Sequence, residues 1–466
     1  MKIAYYALAV LLLYFALVPV VSVGLYGLFP LDSWGGILST LVRSFPYLGR
    51  SLFIAALVTV CSTAIGFSSA VALSRFDFFG RKALGFALVL PLMSPPFVGS
   101  LSFIMLFGKR GLITHGLLGL SVSPFGWFGI AILEIISFSA LAHLVISGAI
   151  SKIDTVAEDA ARTLGASEFA VFKDITVRTM FPEISTAAIL VFLGSMADFG
   201  TPLIIGGAYQ TLASDLYIQI TGLYDMKSAA VSGILLLIPC AMLFFYQRNR
   251  SSRIKFYSPG SAIRDIRYRF YDKRLKAAVL GITAVYGVLV FLQYGFIVVG
   301  AFTRRWGYDY TFTLDHFRTV LKNDLFPFVN SVQLAFVSAL IASFLGVVLS
   351  YVIKRRSYAF RGAVDFIATL PAAVPGILFG IGYLVAFKYP LFGIGKLFFP
   401  FLPPLILLGT GAIIYLLCVF RYLNVGLRSG YALLEHIDPD IEDAARNLGQ
   451  KQRLIFAEIV LPLMTP

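Results

Sequence analysis

Two carboxylates in the chain stand where a carboxylate is costly. Glu134 lies inside the apolar run 126–150, and Asp198 lies within or at the end of the run 184–206. Acids at membrane depth usually face a bundle interior or a wet cavity. Glu134 therefore has two readings: a place on a solute pathway, or a structural hydrogen bond to a neighbouring helix with burial favouring its protonated form. Asp198 opens the segment Asp198-Phe199-Gly200-Thr201-Pro202, where Asp can cap and Gly and Pro can turn the chain. His143 follows Glu134 by nine residues and reads as a core histidine, since no partners stand at ligand spacing. The other histidines (His115, His316, His436) are scattered, and Cys61, Cys240 and Cys418 sit singly inside apolar runs. No metal site and no disulfide framework are expected. The only Gly-Lys pairs, Gly108-Lys109 and Gly395-Lys396, lack both the upstream Gly and the following Ser or Thr of a phosphate-binding loop. No G-x-S-x-G or H-E-x-x-H is present. The expectation is a chain without catalytic residues or a cofactor of its own, and without ATP binding.

Composition says what must position such residues. The chain has 466 residues, 58% of them hydrophobic and 13% charged. Its mean hydropathy is +0.85. A soluble protein carries about 25% charged residues, so the solvent here is lipid. A spanning helix needs about 20 apolar residues. Ten runs qualify: 3–29, 51–74, 84–107, 126–150, 184–206, 228–246, 277–301, 331–353, 364–387 and 403–424. The first is longer than the apolar region of a signal peptide and is expected to be retained.

The charges orient these runs. With Lys2 inside and the spans alternating, Arg75, Arg81 and Lys82 fall inside. So do 151–182, 247–276, the group Lys354, Arg355, Arg356 and Arg361, and 425–462. The stretch 247–276 holds ten Lys or Arg against Asp265 and Asp272. The net charge of +14 is thus a topology signal, and no nucleic-acid partner is expected. Lys109 with Arg110 and Arg304 with Arg305 fall outside and run against the trend.

Self-comparison shows a duplication. A shift of 280 residues brings Ser51 onto Ser331, Gly66 onto Gly346, Arg75 onto Arg355, Arg81 onto Arg361, Pro91 onto Pro371 and Pro95 onto Pro375. Each half then has a span, a basic inner turn, and a span expected to open with L-P-x-x-x-P. A shift of 284 brings Glu158-Asp159-Ala160-Ala161-Arg162-Thr163-Leu164-Gly165 onto Glu442-Asp443-Ala444-Ala445-Arg446-Asn447-Leu448-Gly449, with seven of eight identical. Both copies fall on the inner side, so the duplication is parallel.

Each copy reads as a short amphipathic helix. Thr155 with Glu158 fits a capping box, and Asp154 could cap instead. In the second copy Asp438 can cap, with Pro439 at the first helical position. Apolar residues fall at 157, 160, 161 and 164, and again at 441, 444, 445 and 448. Gly165 and Gly449 follow where a left-handed cap ends a helix. The acids at 158–159 and 442–443 lie in first turns, where the helix dipole favours them. The stripe is Ala-rich and short of the Trp, Phe and Leu of a lipid-lying helix. Its repetition favours a docking element for a twofold partner over a helix resting in the headgroups.

E-D-A-A-x-x-L-G, followed after about ten residues by I-x-L-P, resembles the EAA loop of binding-protein-dependent ABC importer permeases. The second copy carries Ile459-Val460-Leu461-Pro462, whereas the first has Ile175-Thr176-Val177-Arg178, with Arg178 at the usual proline. Two such loops in one chain resemble the fused permeases. The resemblance implies an all-α polytopic membrane protein, a tandem parallel repeat of type I ABC importer transmembrane domains. The first repeat would cover 1–246 with its loop at 154–178, a basic cytoplasmic linker 247–276, and the second repeat 277–466 with its loop at 438–462. It implies ATPase-coupling roles for Glu158, Asp159, Ala160, Ala161 and Gly165, and for Glu442, Asp443, Ala444, Ala445 and Gly449. The implied partners are two copies of a cytoplasmic ABC ATPase, which bind ATP and Mg, and an extracytoplasmic solute-binding protein. The implied place is the bacterial inner membrane, with the N-terminus cytoplasmic.

The segment from Asp198 through Gly206-Gly207 and Thr211-Leu212-Ala213 to Tyr217-Ile218-Gln219 resembles the iron(III) branch. Phosphonate permeases carry a similar pattern, and polyamine and thiamine permeases are cousins. Two readings of other classes stand beside the importer: an ATP-independent secondary transporter, and a membrane scaffold that transports nothing. Two matched docking helices count against the first, and solute flux would exclude the second. By internal symmetry the natural protein is expected to continue for about 70 residues and two spans.

Overall fold

A computed structural model describes residues 2–29, 34–120, 123–150, 156–251, 273–388 and 407–464. Asp154, Thr155, most of the basic stretch 247–276 and the start of the run 403–424 lie outside the described residues. Helix dominates because in hydrocarbon each backbone N–H and C=O must be satisfied within its own segment. Among the described residues nine helices are long and apolar enough to cross a membrane, and one bent pair brings the number to ten.

In chain order the helices are α1 (Tyr5–Leu28), α2 (Trp34–Arg75), α3 (Arg81–Met93), α4 (Pro96–Phe107), α5 (Trp127–Ile150), α6 (Val156–Thr163), α7 (Arg178–Ala197), α8 (Gly200–Ile205), α9 (Leu212–Thr221), α10 (Met226–Ser251) and α11 (Lys273–Ala301). A two-stranded antiparallel hairpin follows, β1 (Thr303–Arg305) and β2 (Asp309–Phe312). Then come α12 (Asp315–Asn323), α13 (Leu325–Arg355), α14 (Arg361–Ala373), α15 (Gly376–Lys388), α16 (Ala412–Glu435) and α17 (Pro439–Asn447).

Four expected spans are drawn differently by the structure. The run 84–107 is two helices, α3 and α4, and L-P-x-x-x-P marks the break between them instead of an opening. Its repeat partner is bent by 114° between α14 and α15. The cause is local. Ser94 (φ −91°, ψ 148°) and Val374 (φ −89°, ψ 127°) are extended, and each precedes a proline whose ring disfavours helical backbone before it. The run 184–206 ends as helix at Ala197, and α8 starts afresh at Gly200. The run 403–424 is helical from Ala412 and continues to Glu435.

The chain divides into two compact units. One comprises residues 39–224 and 238–322, and so holds most of α2, then α3 to α9, and α11 with the hairpin. The other comprises residues 1–38, 225–237 and 323–466, and so holds α1 together with α13 to α17. The units cut across the sequence repeats. The first helix of the chain sits among second-half helices, and α11 packs on α3 and α4 of the first half.

Each unit is built on the same close crossing. A Cβ on Gly66 of α2 would lie 2.5 Å from the Ala142 Cβ of α5. A Cβ on Gly346 of α13 would lie 2.6 Å from the Leu427 backbone N of α16. Membrane helices gain contact through small residues that let backbones approach, which is why this glycine recurs at the 280-residue shift. In the first unit Ile54, Val58, Ala142, Ile146, Ala187 and Val191 pack around the crossing. The α11 hydroxyl of Tyr286 reaches the Ile136 carbonyl of α5 at 3.0 Å.

Candidate functional site

Helices α6 and α17, which carry the repeated motif, are short and closed at the C-terminus by the same arrangement. Gly165 N–H donates to the Arg162 carbonyl at 2.9 Å and Ala166 N–H to the Ala161 carbonyl at 3.0 Å. Gly449 N–H donates to the Arg446 carbonyl at 3.0 Å and Gln450 N–H to the Ala445 carbonyl at 3.1 Å. This reciprocal pair is the Schellman arrangement, and it requires the left-handed backbone found at Gly165 (φ +86°) and Gly449 (φ +84°). At the other end of α17 the Asp438 side chain accepts from Asp440 N–H at 3.0 Å, with Pro439 in the first turn.

Each helix has an open face and an anchored face. Leu164 and Leu448 are 88% and 89% exposed, and Ala157, Ala160 and Ala444 are exposed as well. Ala161 is half-buried and Ala445 buried. Asp159 and Asp443 stand in solvent and pair with Arg162 at 3.0 Å and Arg446 at 2.7 Å. Glu158 and Glu442 point the other way and are buried.

Glu158 meets Arg75, the last residue of α2. The guanidinium donates through Nη1 to Oε2 and through Nη2 to Oε1, both at 3.0 Å. Thr176 Oγ1 donates to the same carboxylate at 2.8 Å. Glu442 meets Arg355, the last residue of α13, with Nε at 3.0 Å from Oε1. That contact is close as an ion pair but is not aligned as a hydrogen bond. Tyr351 donates to Glu442 Oε2 at 2.8 Å, and Arg355 Nη2 donates to the carbonyls of Leu434 (3.1 Å) and Ile437 (2.5 Å). Arg75 and Arg355 are the residues that sequence reasoning left out of the site. Their signal was available, since the 280-residue shift aligns the two arginines and the 284-residue shift the two glutamates.

After the glycine both copies leave through a π-helical turn, Val171–Val177 and Ile455–Val460, which runs on into helix. Arg178 is exposed at the start of α7, so the exit is helical without the proline.

Residues 62–255 match the family model described as the binding-protein-dependent transport system inner membrane component. The molybdenum transport system permease protein of Escherichia coli is 32% identical over 174 residues, which are 36% of this chain and 76% of that relative. The chain belongs to this permease family. The ferric transport system permease protein of Actinobacillus pleuropneumoniae is 28% identical over 439 residues, 90% of this chain and 61% of the relative. A Haemophilus influenzae protein assigned provisionally to a ferric transport system is 28% identical over 437 residues, 90% of this chain and 66% of the relative. The chain therefore spans about two thirds of these longer permeases or slightly less.

In the permease Glu134 is 1% exposed on α5. Ser195 of α7 donates a hydrogen bond to Oε2, and Oε1 has no hydrogen-bond partner. Asp198 accepts from the N–H groups of Gly200 (2.9 Å) and Thr201 (3.3 Å) and so caps α8. His143 is buried beside Gly66, with Nδ1 at 2.9 Å from Ser69 Oγ. Just beyond, Thr211 and Ser214 form a capping box for α9, and Ser51 Oγ accepts from Leu212 N–H at 2.8 Å. On α9 burial pushes the Asp215 carboxyl above its ordinary value, against the opposing pull of Gln219 and Arg43. Among the described residues no group of three or more His, Cys, Asp and Glu is placed to hold a metal ion.

Proposed function

We propose that this chain is the pathway-forming membrane subunit of an ABC importer, with α6 and α17 as the docking helices for two copies of a cytoplasmic ATPase. The observation that carries the reading is the matched construction of the two helices. Each is stopped by a left-handed glycine, anchored by a buried acid, and left with an exposed leucine beside alanines. A short rigid helix with a small-residue face and one protruding leucine suits a groove on a partner. Two of them in parallel repeats suit a pair of identical partners. Glu158, Asp159, Ala160, Ala161 and Gly165, with Glu442, Asp443, Ala444, Ala445 and Gly449, are the coupling residues on this reading, the two glutamates from the buried side. ATP and Mg are held by the partners, and hydrolysis there drives alternating access here. On this reading the N-terminus, α6 and α17 lie in the cytoplasm, an orientation the basic segments support.

The cargo we propose is iron(III), delivered by an extracytoplasmic binding protein; what supports it is that two of the relatives matched over nine tenths of the chain carry ferric-transport names. Molybdate is the second reading, supported by higher identity over a shorter stretch. Mass spectrometry of the native complex tests the assembly, with two ATPase copies expected beside one permease. Uptake of radiolabelled iron(III) against molybdate in proteoliposomes tests the cargo. Uptake that proceeds without ATP would refute the importer reading and leave a secondary transporter.

A further inference from the structure

We propose that the buried pairs Arg75–Glu158 and Arg355–Glu442 are the mechanical joints of the permease, through which movement of each docking helix reaches the long helix that ends in the arginine, α2 or α13. The proposal rests on the coupling reading above, and it makes these four side chains positioning residues of the transport cycle.

Three observations carry it. First, both cations occupy the same structural place, the last residue of a long helix, immediately before the inner turn that leads to a proline break. Second, both acids occupy the same place in the first turn of the docking helix and are buried, while the leucine six residues on is exposed. A load on the exposed Leu164 or Leu448 would be resisted where the helix is tied down, at Glu158 or Glu442. Third, both pairs are secured by neighbours that are not copies of one another. Thr176 from the exit turn holds Glu158, whereas Tyr351 from α13 holds Glu442 and is itself approached by Gln452 Nε2 at 2.5 Å. The ion pair recurs and its supports do not.

Stability alone is a poor reason for such a pair. A buried ion pair can often be replaced by apolar residues of similar volume without loss, because desolvating two charges offsets their attraction. What an apolar contact lacks is direction. A guanidinium fork on a carboxylate fixes distance and angle together, as the two 3.0 Å bonds of Arg75 do. A link that must carry displacement without slip needs that property.

The experiment uses the permease with its ATPase and iron(III)-loaded binding protein in proteoliposomes, measuring solute taken up per ATP hydrolysed and ATPase copies retained. Glu158→Gln with Glu442→Gln should retain the ATPase and lower uptake per ATP by about tenfold, equal to about 1.4 kcal/mol of lost coupling. Exchange of the charges, Arg75→Glu with Glu158→Arg, should recover a measurable part of the loss from Arg75→Glu alone. Arg75→Lys keeps the charge and loses the fork, and should fall between wild type and the glutamine variant. Unchanged uptake per ATP in the glutamine or lysine variant would overturn the joint. So would a charge exchange no better than the single change in a protein that melts normally. If the wild-type complex holds no ATPase or transports without ATP, the coupling reading has failed and the joint falls with it.

Discussion

The left-handed glycines allow a quantitative test in which packing plays no part. A Cβ at Gly165 or Gly449 meets no atom within 4 Å. Any cost of substitution is therefore conformational, about 1–2 kcal/mol for an L-residue in left-handed helical backbone. That corresponds to a factor of roughly 5–30 in the equilibrium for keeping the helix end closed. The bonds at stake are those from Gly449 N–H to Arg446 and from Gln450 N–H to Ala445, and their counterparts after α6. Gly449→Ala and Gly449→Leu should each speed amide exchange at 449 and 450 by about that factor, and Gly449→Asn by less, because Asn tolerates this region. The assay is hydrogen exchange with mass spectrometry on the purified permease, followed by ATP-dependent uptake. Uptake should fall in the same order while the yield of inserted protein stays unchanged. A conformational cost is indifferent to size, so Ala and Leu should match and Asn should be mildest. A ranking by size, with Leu far worse than Ala, would refute the reasoning and show an unseen neighbour at the site. Wild-type exchange in all three variants would show that the glycine does not hold the helix end.

Four further outcomes are expected. Gly66→Ala places a methyl 2.5 Å from Ala142 Cβ and 2.7 Å from His143 N, so it should destabilise by about 1–3 kcal/mol or more through overpacking; an unchanged thermal melt would sink this. Gly346→Ala should do the same in the other unit, since its Cβ meets backbone at 2.6 Å. Glu134→Gln keeps an acceptor for Ser195 and should melt like wild type, whereas Glu134→Leu strands the hydroxyl at a cost of about 1–3 kcal/mol. Lost uptake in the glutamine variant at normal melting would assign Glu134 to the pathway. Asp215 is held above its ordinary 3.8 by burial, so the folded state binds its proton more tightly than the unfolded one. Stability should therefore fall as pH rises from about 3.8 through the raised value and level off above it; Asp215→Asn should remove that slope, and a slope unchanged in the variant would show that another group causes it.

What was legible in the sequence follows from how many residues carry each signal. Spans rest on dozens of apolar positions, and among the described residues nine helices are long and apolar enough to cross a membrane. Helices α6 and α17 were legible because caps are local. Asp438, Pro439 and Gly449 act within a few residues of themselves, and the structure shows the cap and the stop where the sequence puts them. The proline break was misread because hydropathy does not distinguish a straight apolar run from a bent one. The informative residues were Pro95 and Pro375, which act on Ser94 and Val374 before them. The buried pairs were hidden for a different reason. Arg75 and Glu158 are 83 residues apart, and their glutamates look like first-turn acids that solvate a helix end. Nothing local says that one acid turns inward while its neighbour Asp159 stays in water. That needs the tertiary path of α2, and in a single sequence only the matched shifts hint at it.

On the coupling reading, the placement of stiff and compliant parts within a unit makes a single argument. At Gly66 the backbones of α2 and α5 are in contact, so neither helix can slide without breaking van der Waals contact along its length. At Arg75 the end of α2 is tied to α6 by two charge-assisted bonds. Between Arg75 and the next helix the chain turns through Asp77 and Gly80, and beyond α3 the helical hydrogen-bond ladder stops after Ser94 and resumes with Val98 N–H to the Pro95 carbonyl. The other unit repeats the sequence of parts: Gly346, Arg355, a turn, then the 114° break at Val374 and Pro375. A displacement entering at the docking helix would meet rigid contacts first and the interrupted ladder afterwards, so the proline break is where the backbone can yield at least cost. Stiffening it should then resemble cutting the joint. Pro375→Ala, which restores an N–H and frees Val374 to become helical, should lower uptake per ATP while the ATPase stays bound. If it left uptake per ATP unchanged, the yielding element would have to lie elsewhere in the unit.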